Sequence, residues 1–420
     1  MKHLLLIFAL LLMGAAAPKS EHTGKVRVEV YDYPTHVEEK VKLRDGKTEI
    51  ELKLPPYHKL KSDQRIRVKG YRKGNTLEVE SLDDIQLLAV GPISANRGPK
   101  PMAYVLLTYS DGVTGLSVQD AKNVAVEIDS YYRQQSYNLM SFVGIKAPNE
   151  KGDVIPVKIA AASGTCDLAV LGDQAIQGAR DQGYPMDSYR GWVVLMAPTS
   201  CGWSGMASEG NPFMAFTAGQ YTIRVIAHEQ GHGFGLYHAR REDCPNCGAA
   251  GEYSDHTDIM ANSAGTMNAW ERYKLGWLDA SGTPTIVATT QAGSWEISAL
   301  DAPPDGKPKA VRIPRSGESS FWWIAYRSCT QYNNGYCGIF VHSADNFAIT
   351  SSLLHAWVNM GSDWTLDIGD TFSDIPNQRF FSVTSIANGL ATIRVTASAP
   401  APPKPVPVGL AIQFPALGVK

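Results

Sequence analysis

His228-Glu-Gln-Gly-His-Gly-Phe-Gly-Leu-Tyr-His238 is the stretch on which the fold and chemistry of this 420-residue chain turn. It fits H-E-x-x-H-x-x-G-x-x-H at every fixed position. On an α-helix, His228 and His232 stand one turn apart on one face, so both imidazoles reach a single metal ion. Glu229 lies beside the first of them, placed to take a proton from a water at that metal. Gly235 tolerates positive φ and lets the chain leave the helix sharply, which brings His238 back as third ligand. Three protein ligands leave one coordination position open, as a catalytic zinc requires. The spacing predicts one Zn2+ per chain, Glu229 as general base, and a helix over about 222–234 with Ile223, Ile226 and Ala227 toward the core. A rival ligand set takes Glu252 in place of His238, and leaves Gly235 and His238 without a role.

Two further segments follow. Glu252-Tyr-Ser-Asp-His-Thr-Asp-Ile-Met260 puts a methionine in a polar turn after the helix, and Asn268-Ala-Trp-Glu-Arg-Tyr-Lys-Leu-Gly-Trp277 comes next. With the histidine motif they resemble the gametolysin family of metzincin peptidases, tightly from Val225 to Leu278 and loosely elsewhere. The resemblance implies an α/β (α+β) metzincin catalytic domain with the zinc on its active-site helix. It implies a Met-turn whose Met260 forms an apolar floor beneath the three histidines, and a helix behind the site from the Asn268–Trp277 segment. It also implies that Gly205, Met206 and Ala207, on an edge strand before the zinc helix, bind substrate backbone by β-augmentation. An ordinary edge strand is the plain alternative. Several metzincin families carry a tyrosine two residues after the methionine; here that residue is Asn262, so no such tyrosine carries over. His256 reads as a polar loop residue.

Composition sets the outer limits. With 44% hydrophobic residues the chain can bury a sizeable core in two or three domains. A formal net charge of −2 gives no electrostatic case for nucleic acid or an anionic membrane as partner. Lys2 and His3, the apolar run Leu4 to Met13 and the small residues Gly14 to Ala17 predict a secretory signal over 1–16, too short to span a bilayer. The six cysteines fit an oxidising compartment. Cys329 with Cys337, Cys166 with Cys201, and Cys244 with Cys247 are the favoured pairs; a four-cysteine zinc site lacks its second C-x-x-C.

Along the chain, residues 24–90 alternate in strand fashion (Val26, Val28, Val30; Ile50, Leu52, Leu54; Ile66, Val68; Leu77, Val79) and predict a small β-barrel of OB type. This barrel is a candidate pro-domain. No cysteine precedes Cys166 to silence a metal, so either the barrel is not inhibitory or it blocks the cleft sterically or through another ligand. Residues 91–102 read as linker and 103–283 as the catalytic domain. Within the latter, Tyr104 to Tyr109 and Gly191 to Met196 are buried strands, and helices follow Ser117 and Asp167. Short strands over 284–398 predict a β-sandwich accessory domain. Its Trp322, Trp323, Trp357 and Trp364 offer carbohydrate or cell-wall contact, with core packing as the plainer account. Residues 399–420 form a Pro-rich tail.

These observations lead to a secreted zinc-dependent endopeptidase acting on extracellular or cell-wall proteins. Two rivals are an exported binding protein that uses the zinc fold as scaffold, and a zinc amidase acting on cell-wall material. The intact Glu229 argues against the first, since a scaffold needs no base.

Overall fold

The alternation of valines that opens the chain runs on to Asp32 in the computed structural model. The structure describes residues 18–32, 37–46, 48–55, 60, 62, 64–89, 96–198, 201–242, 250–261, 263–279, 284–315, 320–328, 336–345, 353–355, 364–374 and 378–397. It is mostly β, with four α-helices among those residues. Strands β1 (Ser20–Asp32), β2 (Val37–Asp45), β3 (Thr48–Lys53), β4 (Arg65–Lys73) and β5 (Thr76–Glu78) close a five-stranded barrel in the order β1-β2-β3-β5-β4-β1. β6 (Ile85–Ala89) adds to β4. Val26, Val28, Val41, Leu43, Ile50, Leu52, Ile66, Val68 and Leu77 fill the interior. A period of two puts every second residue inside, so the alternating sequence is enough to specify this core.

The second sheet is built from β7 (Gly98–Thr108), β8 (Met140–Val143), β9 (Asp153–Lys158), β10 (Gly191–Met196), β11 (Gly205–Ser208) and β12 (Phe213–Ala218). β10 lies parallel to both β7 and β12, β7 parallel to β8 and then β9, and β11 antiparallel to β12. Met102 to Leu107 reads as one apolar run because both faces of β7 are covered. Met102, Tyr104 and Leu106 pack with Ala121, Ala125 and Ile128 of α1 (Val118–Gln135) and with Ile226 of α3 (Ile223–Gly233). Ala103, Val105 and Leu107 pack with Leu171, Ala175 and Ile176 of α2 (Leu168–Asp181). Ser117 and Asp167 cap α1 and α2, their side chains accepting from Asp120 N and from the amides of Ala169 and Val170. The stretch read as linker is strand from Gly98 onward, because its backbone pairs with β8 despite Pro99 and Pro101.

The remaining strands form two sheets that share one core. One runs Arg240–Glu242, Leu353–His355, Gly338–Asp345, Ser320–Arg327, Ala310–Pro314, Val287–Ala288; the other runs Gly293–Ser298, Leu390–Thr396, Arg379–Ala387, Thr371–Asp374. Val311, Ile313, Ile324 and Val341 of the first face Ile297, Phe381, Val383 and Ile393 of the second. Trp322 and Trp323 are buried, so the carbohydrate contact expected of them has no free ring to use. Trp364 stacks on Tyr336 at 5.0 Å beneath the Arg241 guanidinium; Trp357 lies outside the described residues. Cys166 and Cys201 form the expected disulfide. Cys337 is also disulfide-bonded, while Cys329, Cys244 and Cys247 lie outside the described residues, as do the signal segment, the Pro-rich tail and Asn262. No helix among the described residues is long and apolar enough to cross a membrane.

Candidate metal centre

The α3 helix starts after Thr222 and ends at Gly233 with Phe234 as C-cap. Gly235 then adopts φ +95°. Its N–H donates to His232 O at 2.8 Å and the Leu236 N–H reaches back to Gly231 O at 2.9 Å. This is the double hydrogen bond of a Schellman cap, and the positive φ is why glycine stands there. The reversal delivers His238 beside His228 and His232, with all three rings buried.

Each imidazole is oriented from behind. His228 Nδ1 donates to Ile259 O at 2.8 Å, His232 Nδ1 to Leu236 O at 2.8 Å, and His238 Nδ1 to Glu252 Oε1 at 2.9 Å. Backbone carbonyls can only accept. The Glu252 carboxyl is also held ionised: burial works to raise its pKa, but His238 and Arg240 outweigh that and lower it. With Nδ1 donating in each ring, the three Nε2 atoms turn toward one another. His232 Nε2 is 3.1 Å from His228 Nε2 and 3.0 Å from His238 Nε2. Burial brings the His232 pKa down to about 4, so the ring is neutral near pH 7, the state that ligates.

A fourth group completes the cluster, and it comes from the barrel. Asp32 Oδ2 lies 2.8 Å from His228 Nε2 and 3.2 Å from His232 Nε2, and Oδ1 lies 3.0 Å from His238 Nε2. Asp32 Oδ1 has no hydrogen-bond donor among the described residues. Acceptor atoms converging at this distance call for positive charge between them, and one metal ion meets all four groups at once. Tetrahedral ligands at about 2.0–2.1 Å from zinc stand roughly 3.3 Å apart, close to the spacings here. The donor set fits a small divalent ion of the zinc class.

Glu229 is buried beside this cluster, with Oε2 lacking any hydrogen-bond partner among the described residues. Burial, and then the Asp32 charge, push its carboxyl well above the usual range. Its carboxyl lies against Gly205 of β11, where a Cβ would stand 2.1 Å from Glu229 Oε1. Met260 is fully buried under α3, its Sδ 2.4 Å from where a Gly231 Cβ would lie. Gly205, Met206 and Ala207 are buried too, since β11 pairs with β12 on one side and β1 on the other. Glu252 stays out of the cluster and acts on His238 from behind. His256 is exposed beside the Trp364 ring, 5.9 Å away.

Behind the site, Asp258 accepts from Met260 N at 2.9 Å and from Asn268 N at 3.0 Å. Asn268 and Glu271 form a capping box on α4 (Ala269–Lys274), and Arg272 of that helix donates to Gln135 Oε1 and Leu300 O. A model of the gametolysin peptidases matches residues 106–386. The chain belongs to this family. Gametolysin peptidases therefore account for the β7-to-β12 sheet, the histidine cluster and most of the C-terminal sheets, while the barrel falls outside the matched region. No curated protein matches the chain.

Two residues of the site were not anticipated from sequence. Asp32 ends an alternating strand, and a lone aspartate there carries no ligand signal. Tyr253, at φ +58°, lays its ring 4.3 Å from that of His238. Burial and the Asp32 and Glu229 carboxylates raise its phenol pKa.

Proposed function

We propose that the chain is an exported zinc endopeptidase of the metzincin type. The carrying observation is the convergence of the Nε2 atoms of His228, His232 and His238, with the Glu229 carboxyl buried next to them. Zinc, when bound, supplies Lewis acidity: it acidifies a water and polarises the scissile carbonyl. Glu229 takes the proton of the attacking water and passes it to the leaving nitrogen. The backbone of Gly205, Met206 and Ala207 orients an extended peptide alongside, and Met260 supports the histidines from below. The barrel is read as OB-type and the two C-terminal sheets as a sandwich module. Export is supported by the Cys166–Cys201 bridge, which belongs to an oxidising compartment, and extracellular or cell-wall protein is the substrate class that follows.

The test is casein hydrolysis by the zinc-loaded chain, with Asp32→Asn included to clear the fourth position. Cleavage that 1,10-phenanthroline stops, and that Glu229→Ala lowers by about 10²–10⁴-fold while zinc stays near one per chain, is the expected result. Full activity in Glu229→Ala sinks the mechanism.

A further inference from the structure

A catalytic metal site keeps one position free of protein, whereas a site closed by four protein ligands is structural. Here the family motif supplies three histidines and the barrel supplies the fourth group. Asp32 is the last residue of β1, 196 positions before His228 in the chain. The strand that carries it also takes the edge where a peptide would bind. β1 runs antiparallel to β11 with Glu29 opposite Ser208, Val30 opposite Ala207, Tyr31 opposite Met206 and Asp32 opposite Gly205. One further bond, Glu209 N to Val28 O at 3.0 Å, extends the pairing. Ser62 N, from the β3–β4 connection, donates to Glu209 Oε2 at 3.1 Å, and Tyr237, next to the third histidine, packs against the barrel core.

We propose that the intact chain is latent, with Asp32 as a removable fourth metal ligand and β1 in the position of the substrate strand along β11. Metal position and peptide groove are closed together by one strand. An entering peptide must displace Val30 and Tyr31 from β11 and Asp32 from the histidines at once. A carboxylate suits this role: it ligates while the barrel is seated, and as an ordinary surface aspartate it is well solvated once withdrawn. The inference rests on reading the histidine cluster as a catalytic metal centre.

The test uses the full chain loaded with Co2+, whose visible absorption reports ligand exchange, titrated with acetohydroxamate. The wild type is compared with Asp32→Asn, which keeps the side-chain shape, and with Asp32→Ala. Both variants should retain the metal and bind the hydroxamate at least tenfold more tightly than wild type, since fewer than about one wild-type molecule in ten would present an open position. Equal hydroxamate affinity in all three overturns the proposal. Loss of the metal from both variants also overturns it, because Asp32 would then be a permanent ligand. The same samples are assayed on casein. Variants that take up hydroxamate yet leave casein intact, even after the chain is cut between the barrel and Gly98, uphold the Asp32 gate and refute the peptidase reading instead, so the two failures are told apart.

Discussion

Gly205 brings β11 close against the helix that carries the histidines. A methyl group there would sit 2.1 Å from Glu229 Oε1 and 2.7 Å from its Cγ, so even alanine forces the carboxyl to turn away. In the Asp32→Asn background, Gly205→Ala is expected to lower kcat/KM on a casein peptide by about 10²-fold if Glu229 is the base proposed above, with metal content unchanged. An unaltered kcat/KM would show that the carboxyl has room to spare. Sequence order suggests Gly205 only as a backbone contact for substrate; its second duty, clearing space for Glu229, depends on two elements meeting in space. The histidines and Glu229 are legible because their geometry is local, set by one helix and one cap. Asp32 is not, since its partners lie about two hundred residues away in sequence and nothing beside it hints at them.

At the scale of elements, the turn carrying Met260 is held by a buried acidic pair. Asp258 and Glu271 both bond Asn268, whose cap starts α4. Burial first, then the Asp258 charge, push the Glu271 carboxyl well above its usual range. In the unfolded chain it ionises near about pH 4.3. Between that value and its raised folded pKa, the folded protein binds the extra proton, so its contribution to stability is full at low pH and is lost as pH rises. Glu271→Gln, which cannot ionise, should therefore gain Tm relative to wild type as pH increases from about 4.5 to 8.5. Two melting curves separated by a constant offset across that range would contradict it. The Asn-Ala-x-x-Arg segment is recognisable as a motif, yet its wiring to Gln135 and Leu300 is not, because both partners lie in other elements.

Across the whole molecule, the C-terminal sheets join the site at two points. Arg240–Glu242, just past the third histidine, forms a parallel strand with Leu353–His355. Three charged residues carry no strand signal of their own; the neighbouring sheet makes them one. Arg327 reaches in from that sheet, donating to Thr257 O at 2.8 Å and standing 3.6 Å from Asp258 Oδ2, fully buried. Removing it leaves Asp258 and Thr257 O without their cation, so Arg327→Ala should cost about 3–5 kcal/mol, read as a lower urea midpoint. A shift within experimental error would mean the sheets are separable from the site. The barrel is attached in a different way. β1 belongs to two sheets: β2 runs along one edge, and the other edge pairs with β4 over Ser20–Lys25 and with β11 over Glu29–Asp32. While the chain is continuous, its seat on β11 is a unimolecular contact, at a local concentration on the order of millimolar. Cutting the connection turns the same four-residue pairing into a second-order association, and dilution then decides what fraction of the barrels remains seated.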